Sequence, residues 1–292
     1  MTIFGKLAYD SGTGVLALLS LRFVGGSIGL AALGYARHRR AAGPFIASRA
    51  ACRAFLLGAL IYALQSAALF AALREIDASL AVLLLYTYPA FVAAGAVMLG
   101  REPLGPRTIG ALALASVGIG LVLGAGGASD GTGVGIALGL LAGAGYAVYV
   151  LAADALLDQA APIALSAVVC AGAGTSFAVV AIASGSLEWP QGNALIWVAG
   201  ITVVSTVVAI GSLFAGLKRV GPTTASVVST VEPVFAVGLA FLVFGETLSG
   251  LQLAGAAMVL TALLTISARP LTREPLTKEP LTKGPHPCRT SG

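Results

Sequence analysis

Residues 78 to 99 read ASLAVLLLYTYPAFVAAGAVML, twenty-two residues without a charge, with Asp77 before them and Gly100-Arg101-Glu102 after. The hydrocarbon core of a bilayer is about 30 Å thick, and a helix needs roughly 20 apolar residues to cross it. This stretch is long enough to span. The same ruler moved along the chain accepts eight more segments, 14 to 36, 53 to 73, 107 to 125, 132 to 153, 161 to 184, 194 to 217, 223 to 244 and 250 to 268. Between them lie Arg37-His38-Arg39-Arg40, the glycine-rich 126 to 131, Glu188-Trp189-Pro190 and Lys218 to Pro222, all of them chemistry that interrupts helices.

Composition agrees with this count. Hydrophobic residues make up 58% of the chain, charged residues only 10%, and the mean hydropathy is +0.95; a soluble domain carries about a quarter charged residues to cover its surface. The 17 Lys and Arg sit at segment ends and in the C-terminal tail instead of forming a stripe with interleaved aromatics, which argues against nucleic acid as a partner. Cys52, Cys170 and Cys288 are too scattered for a disulfide framework or a metal site. The two histidines, His38 and His286, both fall outside the spans, and no His-Glu-x-x-His occurs. The glycine-rich stretch from 124 to 135 lacks the lysine of a phosphate-binding loop. The expectation is therefore no enzyme, no cofactor, no metal and no ATP-driven pump. Lys6 followed by the polar Asp10-Ser11-Gly12-Thr13 is also a poor start for a cleaved leader.

A second regularity is an internal match at an offset of 144. It places Leu69-Phe70-Ala71 on Leu213-Phe214-Ala215, Leu73 on Leu217, Ala81 on Ala225, Pro89 on Pro233, Phe91 on Phe235, Glu102 on Glu246 and Leu104 on Leu248. Each half then holds an odd number of helices, so the second copy enters the membrane inverted relative to the first. The offset also aligns Leu7-Ala8 and Asp10 with Leu151-Ala152 and Asp154, the end of a spanning segment. Residues 1 to 9 rise only about 14 Å as helix. The expected fold class is thus an all-α integral membrane protein of two inverted five-helix repeats with the first helix truncated, nine full transmembrane helices plus a stub. The domains expected are 1–125, the first repeat, and 132–268, the second. Residues 269–292 form a basic, proline-rich tail that repeats Pro-Leu-Thr-Arg/Lys-Glu and is expected to be disordered.

The residues Val231-Glu232-Pro233-Val234-Phe235-Ala236 and Phe244-Gly245-Glu246-Thr247-Leu248 carry a family resemblance, with looser copies at Tyr88-Pro89-Ala90-Phe91 and Gly100-Arg101-Glu102-Pro103-Leu104. Together with Leu21-Arg22-Phe23 they resemble the EamA-type transporters of the drug/metabolite transporter superfamily, ten-helix proteins of two inverted repeats. The resemblance implies secondary transport of a small metabolite, such as an amino acid or a drug-like compound, by alternating access. Export is the direction expected. The alternatives are a degenerate, non-transporting membrane protein and an intramembrane enzyme. The partners expected are a small-molecule substrate, the lipid bilayer and, as an option, a second copy of the chain in a homodimer.

An ionisable group within a membrane helix is costly unless paired or wetted, and so marks a functional position. Glu232, halfway along its segment, is the first candidate, to bind a cationic group or carry a proton; the alternative is a packing role. Arg22, about eight residues into its helix, either reaches the cavity, there to pair with Glu232, or snorkels to the interface. Tyr62, Gln65, Tyr86, Tyr88, Tyr146, Tyr149 and Ser229 add polar atoms inside spans, each of which serves a substrate or a neighbouring helix. Pro89 and Pro233 each remove a backbone donor and are the candidate hinges. Gly135, Gly139 and Gly143, Gly25 with Gly29, and Gly120 with Gly124 read as close-packing faces, and Glu102 and Glu246 as loop-orienting residues at helix ends.

Orientation follows from the cations, which are retained on the cytoplasmic side of short loops. Fourteen of the 17, including Arg37, Arg39, Arg40, Arg49, Arg53, Arg101, Arg107, Lys218, Arg219 and the tail, fall on one side. That side, with the C-terminus, is expected to be cytoplasmic, and the membrane to be the plasma membrane. In a background without the native cysteines, a cysteine at position 39 or 280 should resist an impermeant maleimide in intact cells and react after permeabilisation. Labelling in intact cells would reverse the topology.

Overall fold

A computed structural model describes residues 14–38, 46–76, 78–101, 105–124, 133–186, 189–190, 192, 194–235 and 249–267, and among them the regular structure is entirely helical. The helices are α1 (Val15–His38), α2 (Ser48–Ala72), α3 (Ala78–Leu85), α4 (Tyr88–Met98), α5 (Pro106–Gly124), α6 (Gly133–Leu156), α7 (Pro162–Ala183), α8 (Ala194–Ser229) and α9 (Gly250–Ser267). A short helical run at 231–235 comes after α8. Six runs are long and apolar enough to cross a membrane, α3 and α4 counting as one from Leu80 to Met98, and α5 and α9 contain shorter apolar ones.

Among the described residues the segments read from sequence recur with three differences, residues 236–244 of the segment 223 to 244 lying outside them. α2 begins at Ser48, five residues before position 53, and carries Arg49 and Arg53 in its first turns. Helical hydrogen bonding satisfies the backbone beyond the hydrocarbon edge, and long cationic side chains reach back to water. The segment 78 to 99 is two helices joined by a turn at Tyr86-Thr87, because Pro89 lacks the N–H that would continue the ladder. Thr87 closes that turn by donating its hydroxyl to the Leu84 carbonyl at 2.6 Å. The segments 194 to 217 and 223 onward run together as α8, broken at Gly221 (φ 80°, ψ 169°) just before Pro222. A positive φ with extended ψ is open to glycine and strained for other residues, and Pro222 suits the first turn of the helical stretch beyond the break. The stub at residues 1 to 9, Arg39 and Arg40, Glu102 and Glu246, and the tail 269–292 lie outside the described residues.

Two features had no sequence forewarning. α2 is π-helical from Leu57 to Tyr62 and α8 from Thr202 to Val208, each an expanded turn inside an otherwise α-helical span. The offset of 144 carries 57 to 201 and 62 to 206, so the two expansions occupy matching places; the turn at Tyr86 likewise matches Thr230, where the second chain break falls.

Glycine sets the closest crossings. A Cβ on Gly58 of α2 would run into the Val169 carbonyl of α7, and one on Gly172 would run into the Phe55 carbonyl. On the other flank, α5 and α9 cross at Gly118 and Gly255, each facing the other's carbonyl oxygen. Gly25, Gly26 and Gly29 of α1 face Thr202, Thr206 and Val207, and Gly139 and Gly143 of α6 face Leu84, Leu85 and Thr87. These confirm the small-residue faces on α1 and α6. On α5, however, the close contact belongs to Gly118, while Gly120 faces open space. The core thus forms where α1, α2, α6, α7 and α8 meet, around Phe23, Tyr149, Leu165, Val169 and Phe214.

At the cation-rich end Arg101, just after α4, donates to the Leu151 carbonyl at 3.0 Å and pairs with Asp154 of α6 at 3.1 Å. Asp154 is 3% exposed, so the guanidinium is what makes its burial tolerable.

Gly172→Val should lower stability by about 1–3 kcal/mol or more, since a backbone carbonyl cannot move aside as a side chain can. Gly120→Ala should stay within about 0.5 kcal/mol of the parent. Melting of detergent-purified protein measures both, and an equal effect of the two would refute the assigned crossings.

Candidate functional site

The tyrosines singled out in the sequence come together. Tyr62 ends the π turn of α2 and meets Tyr149 of α6 edge-on, ring centroids 5.2 Å apart. Tyr149 lies 5.5 Å from Tyr146, Tyr146 stands edge-on to Tyr88 at 4.7 Å, and Tyr88 is 6.0 Å from Tyr86. Edge-to-face pairs at these distances use the ring quadrupoles favourably. The spacing of Tyr146 and Tyr149 on α6 puts both on one helical face, and the turn before α4 lets Tyr86 and Tyr88 both join it.

The two charges sit at opposite ends of this run. At one end Arg22 of α1, 4% exposed, donates from Nε to Thr206 Oγ1 at 2.9 Å, reaches the Ser205 carbonyl with Nη2 at 3.5 Å, and lies 4.8 Å from the ring centroid of Phe23. Phe23 in turn stands edge-on to Tyr62 at 5.2 Å and stacks on Phe177 at 5.8 Å. The guanidinium is buried against the π turn of α8. Gly26 makes this contact possible, since a Cβ there would collide with the Thr206 methyl.

At the other end Glu232, exposed in the short run 231–235, accepts a hydrogen bond from Tyr86 Oη at 3.2 Å. The hydrogen bonds of Arg22 and of Glu232 run to different elements, while both charges lie within electrostatic reach of Tyr62 and Tyr146. Tyr88 is buried and donates to the Ser226 carbonyl at 3.1 Å, tying α4 to the end of α8.

The remaining candidates divide. Gln65, buried on α2, donates to Ser66 at 2.9 Å, while its Oε1 finds no donor among the described residues. Gln65 backs directly onto Gly145 of α6. Ser229 returns its hydroxyl to the Ala225 carbonyl at 2.9 Å within its own helix. Pro89 is buried in the first turn of α4, and Pro233 is buried just after the break at Thr230. The carbonyls of Leu84 and Leu85, next to the turn that Pro89 enforces, lie against Gly143. The backbone opening is therefore covered by protein, as lipid would require.

Sequence reasoning missed Thr206, Phe23, Phe177 and the Arg101–Asp154 pair. Thr206 reads in the sequence like any hydroxyl in a span. Arg101 and Asp154 both fall at span ends on the cation-rich side, a signal that could have found the pair.

Comparison with known proteins fits this architecture. A protein of Archaeoglobus fulgidus called an uncharacterized transporter is 29% identical over 206 residues, covering 70% of this chain and 73% of its own. One solved protein crystal structure superposes with a TM-score of 0.75 over 90% of this chain and 91% of the other, at 20% identity, and so shares the fold. The model of the EamA-like transporter family matches residues 1–124 and again 133–268. With both stretches covered, this multi-pass membrane chain belongs to the EamA-like transporter family.

Proposed function

We propose that the chain is a secondary transporter that exports a small metabolite, an amino acid or drug-like compound, across the plasma membrane by alternating access. The observation that carries this reading is the aromatic run between a buried cation and a carboxylate, Arg22 to Glu232, flanked by three interruptions of the helical ladder. Such a wall offers ring faces to an apolar or aromatic body and opposite charges to its polar ends. Glu232 binds a cationic group or carries the coupling proton, and Tyr86 holds it in place. Tyr62, Tyr88, Tyr146, Tyr149 and Gln65 line the path, and Gln65 Oε1 has no donor among the described residues.

The halves 1–125 and 132–268 act as inverted repeats in this reading. Support comes from the matching π turns, from the matching breaks at Tyr86 and Thr230, and from packing that treats the halves alike. α1 pairs with α7 and α5 with α9, while α2 packs on α7 as α8 packs on α1. Pro89 and Pro233 mark the two hinges, and the Arg101–Asp154 pair closes the cytoplasmic end.

Vesicle transport of a panel of amino acids and hydrophobic amines tests the carboxylate. Glu232→Gln should reduce transport by about tenfold or more, or abolish its pH dependence, and Tyr86→Phe should have a smaller effect of the same kind. Both should melt as the parent does. Transport of the parent with an unaltered Glu232→Gln profile would assign the carboxylate to packing. A second measurement reads the closure. Arg101→Ala should raise the labelling of a cysteine at position 146 several-fold in inside-out vesicles, and unchanged labelling would make the ion pair static.

A further inference from the structure

A groove of about 360 Å³ lies apart from the aromatic run, between α2 and α6. α2 supplies Arg53, Leu56, Leu60 and Ile61, α6 supplies Ala155, and Gln159 follows in the turn just after α6. Its size is that of a small-ligand site, but its wall is unlike one, being apolar except at one end. Leu56 and Leu60 are 47% and 60% exposed, turned outward from the protein. Arg53 stands at the mouth, exposed, and Arg49 lies one turn earlier on the same side of α2, also exposed. Neither arginine has an ion pair or hydrogen bond among the described residues. Among the described residues, the carboxylates at this end are Asp154, held by Arg101, and the exposed Asp158 beside Gln159. Arg49, Arg53 and Asp158 therefore leave one net positive charge.

The dimensions match one leaflet. From Arg53 to Ile61 the helix rises about 12 Å, and half of the hydrocarbon core is about 15 Å. A ligand that fits must be anionic at the interface and hydrocarbon below it, and must reach the groove from the side. Water answers the arginines but not the leucines, and a zwitterionic lipid answers the leucines but brings no net charge to the arginines. Cationic pockets between helices on the cation-rich side are where anionic headgroups lodge.

We propose that this groove is a binding site for one anionic phospholipid, its headgroup on Arg49 and Arg53 and one acyl chain along Leu56, Leu60 and Ala155. The site is independent of the transport reading, although α2 and α6 belong to different family-matched stretches, and Ala155 directly follows the Asp154 of the ion pair. An occupied groove therefore holds the seam between those stretches at its charged end.

Native mass spectrometry of the full-length protein in mild detergent, titrated with phosphatidylglycerol or phosphatidylcholine, tests the site. The first phosphatidylglycerol should bind several-fold tighter than phosphatidylcholine. Arg49→Ala with Arg53→Ala should weaken it by about fivefold per arginine removed, and the paired Lys substitutions should retain it. Leu60→Trp, which fills the groove at an exposed position and leaves both arginines, should remove the tight first lipid while melting as the parent does in lipid-free detergent. Arg107→Ala, an exposed cation elsewhere on the same face, should change nothing. The proposal is overturned by a Leu60→Trp protein that binds as the parent does. It is equally overturned by an Arg107→Ala protein that loses as much as the arginine pair, or by inorganic phosphate displacing the lipid at millimolar concentration.

Discussion

A peptide N–H or C=O that faces hydrocarbon without a partner costs several kcal/mol, so a chain in a bilayer interrupts its helices only where protein or a wetted cavity covers the gap. That constraint explains why the interruptions in this molecule cluster. The π turn of α2 ends at Tyr62, the turn before α4 begins at Tyr86, and the π turn of α8 contains Thr206. All three abut the aromatic run or Arg22, and none has been placed where only lipid would meet it: Leu57 and Gly58 pack on α7, Leu84 and Leu85 on Gly143, and Thr206 on Gly26. Expanded helical turns recur at functional positions because they aim side chains that a regular helix would turn elsewhere. Here they aim Tyr62 at Tyr149 and Thr206 at Arg22.

Arg22 shows the same economy applied to charge. Transferring a guanidinium into a membrane interior is expensive on any scale. Its neighbours lower that cost with a neutral hydroxyl, a carbonyl and a ring face. The Asp154 carboxylate, by contrast, is matched by a full countercharge at 3.1 Å, and its field is largely spent locally. That pair is thus suited to holding two segments together.

The spans and the family were legible because both are written in long, redundant patterns. Twenty apolar residues are hard to mistake, and Pro89 and Pro233 declare themselves. The gathering of Tyr62, Tyr86, Tyr88, Tyr146 and Tyr149 was legible only as a set of polar atoms inside spans, since which face of each helix they occupy depends on turns that the sequence does not mark. No residue announces a π turn in either Leu57–Tyr62 or Thr202–Val208. Helix phase shifts by one residue across such a turn, so face assignments read from a 3.6-residue period fail beyond it. Gly118 against Gly120 is the same lesson on a smaller scale. Both are small, two residues apart, and only the crossing angle of α5 on α9 decides which one is needed.

The internal match also indicates where the halves differ, and the difference falls on the ion pair. At the offset of 144, Asp154 corresponds to Asp10 and Arg101 to Gly245. The carboxylate recurs in the sequence but the cation does not. In an inverted repeat these positions would fall at opposite ends of the molecule, with glycine at position 245 where the first half has Arg101. An alternating-access protein built from two identical halves would favour neither orientation. Under the proposed alternating-access reading, this single Arg-for-Gly difference would bias the resting state toward closure on the cation-rich side, by as much as the pair is worth beyond its desolvation. In that reading transport would work against the bias once in each cycle, and the energy would come from whatever substrate or ion binds better to the other state.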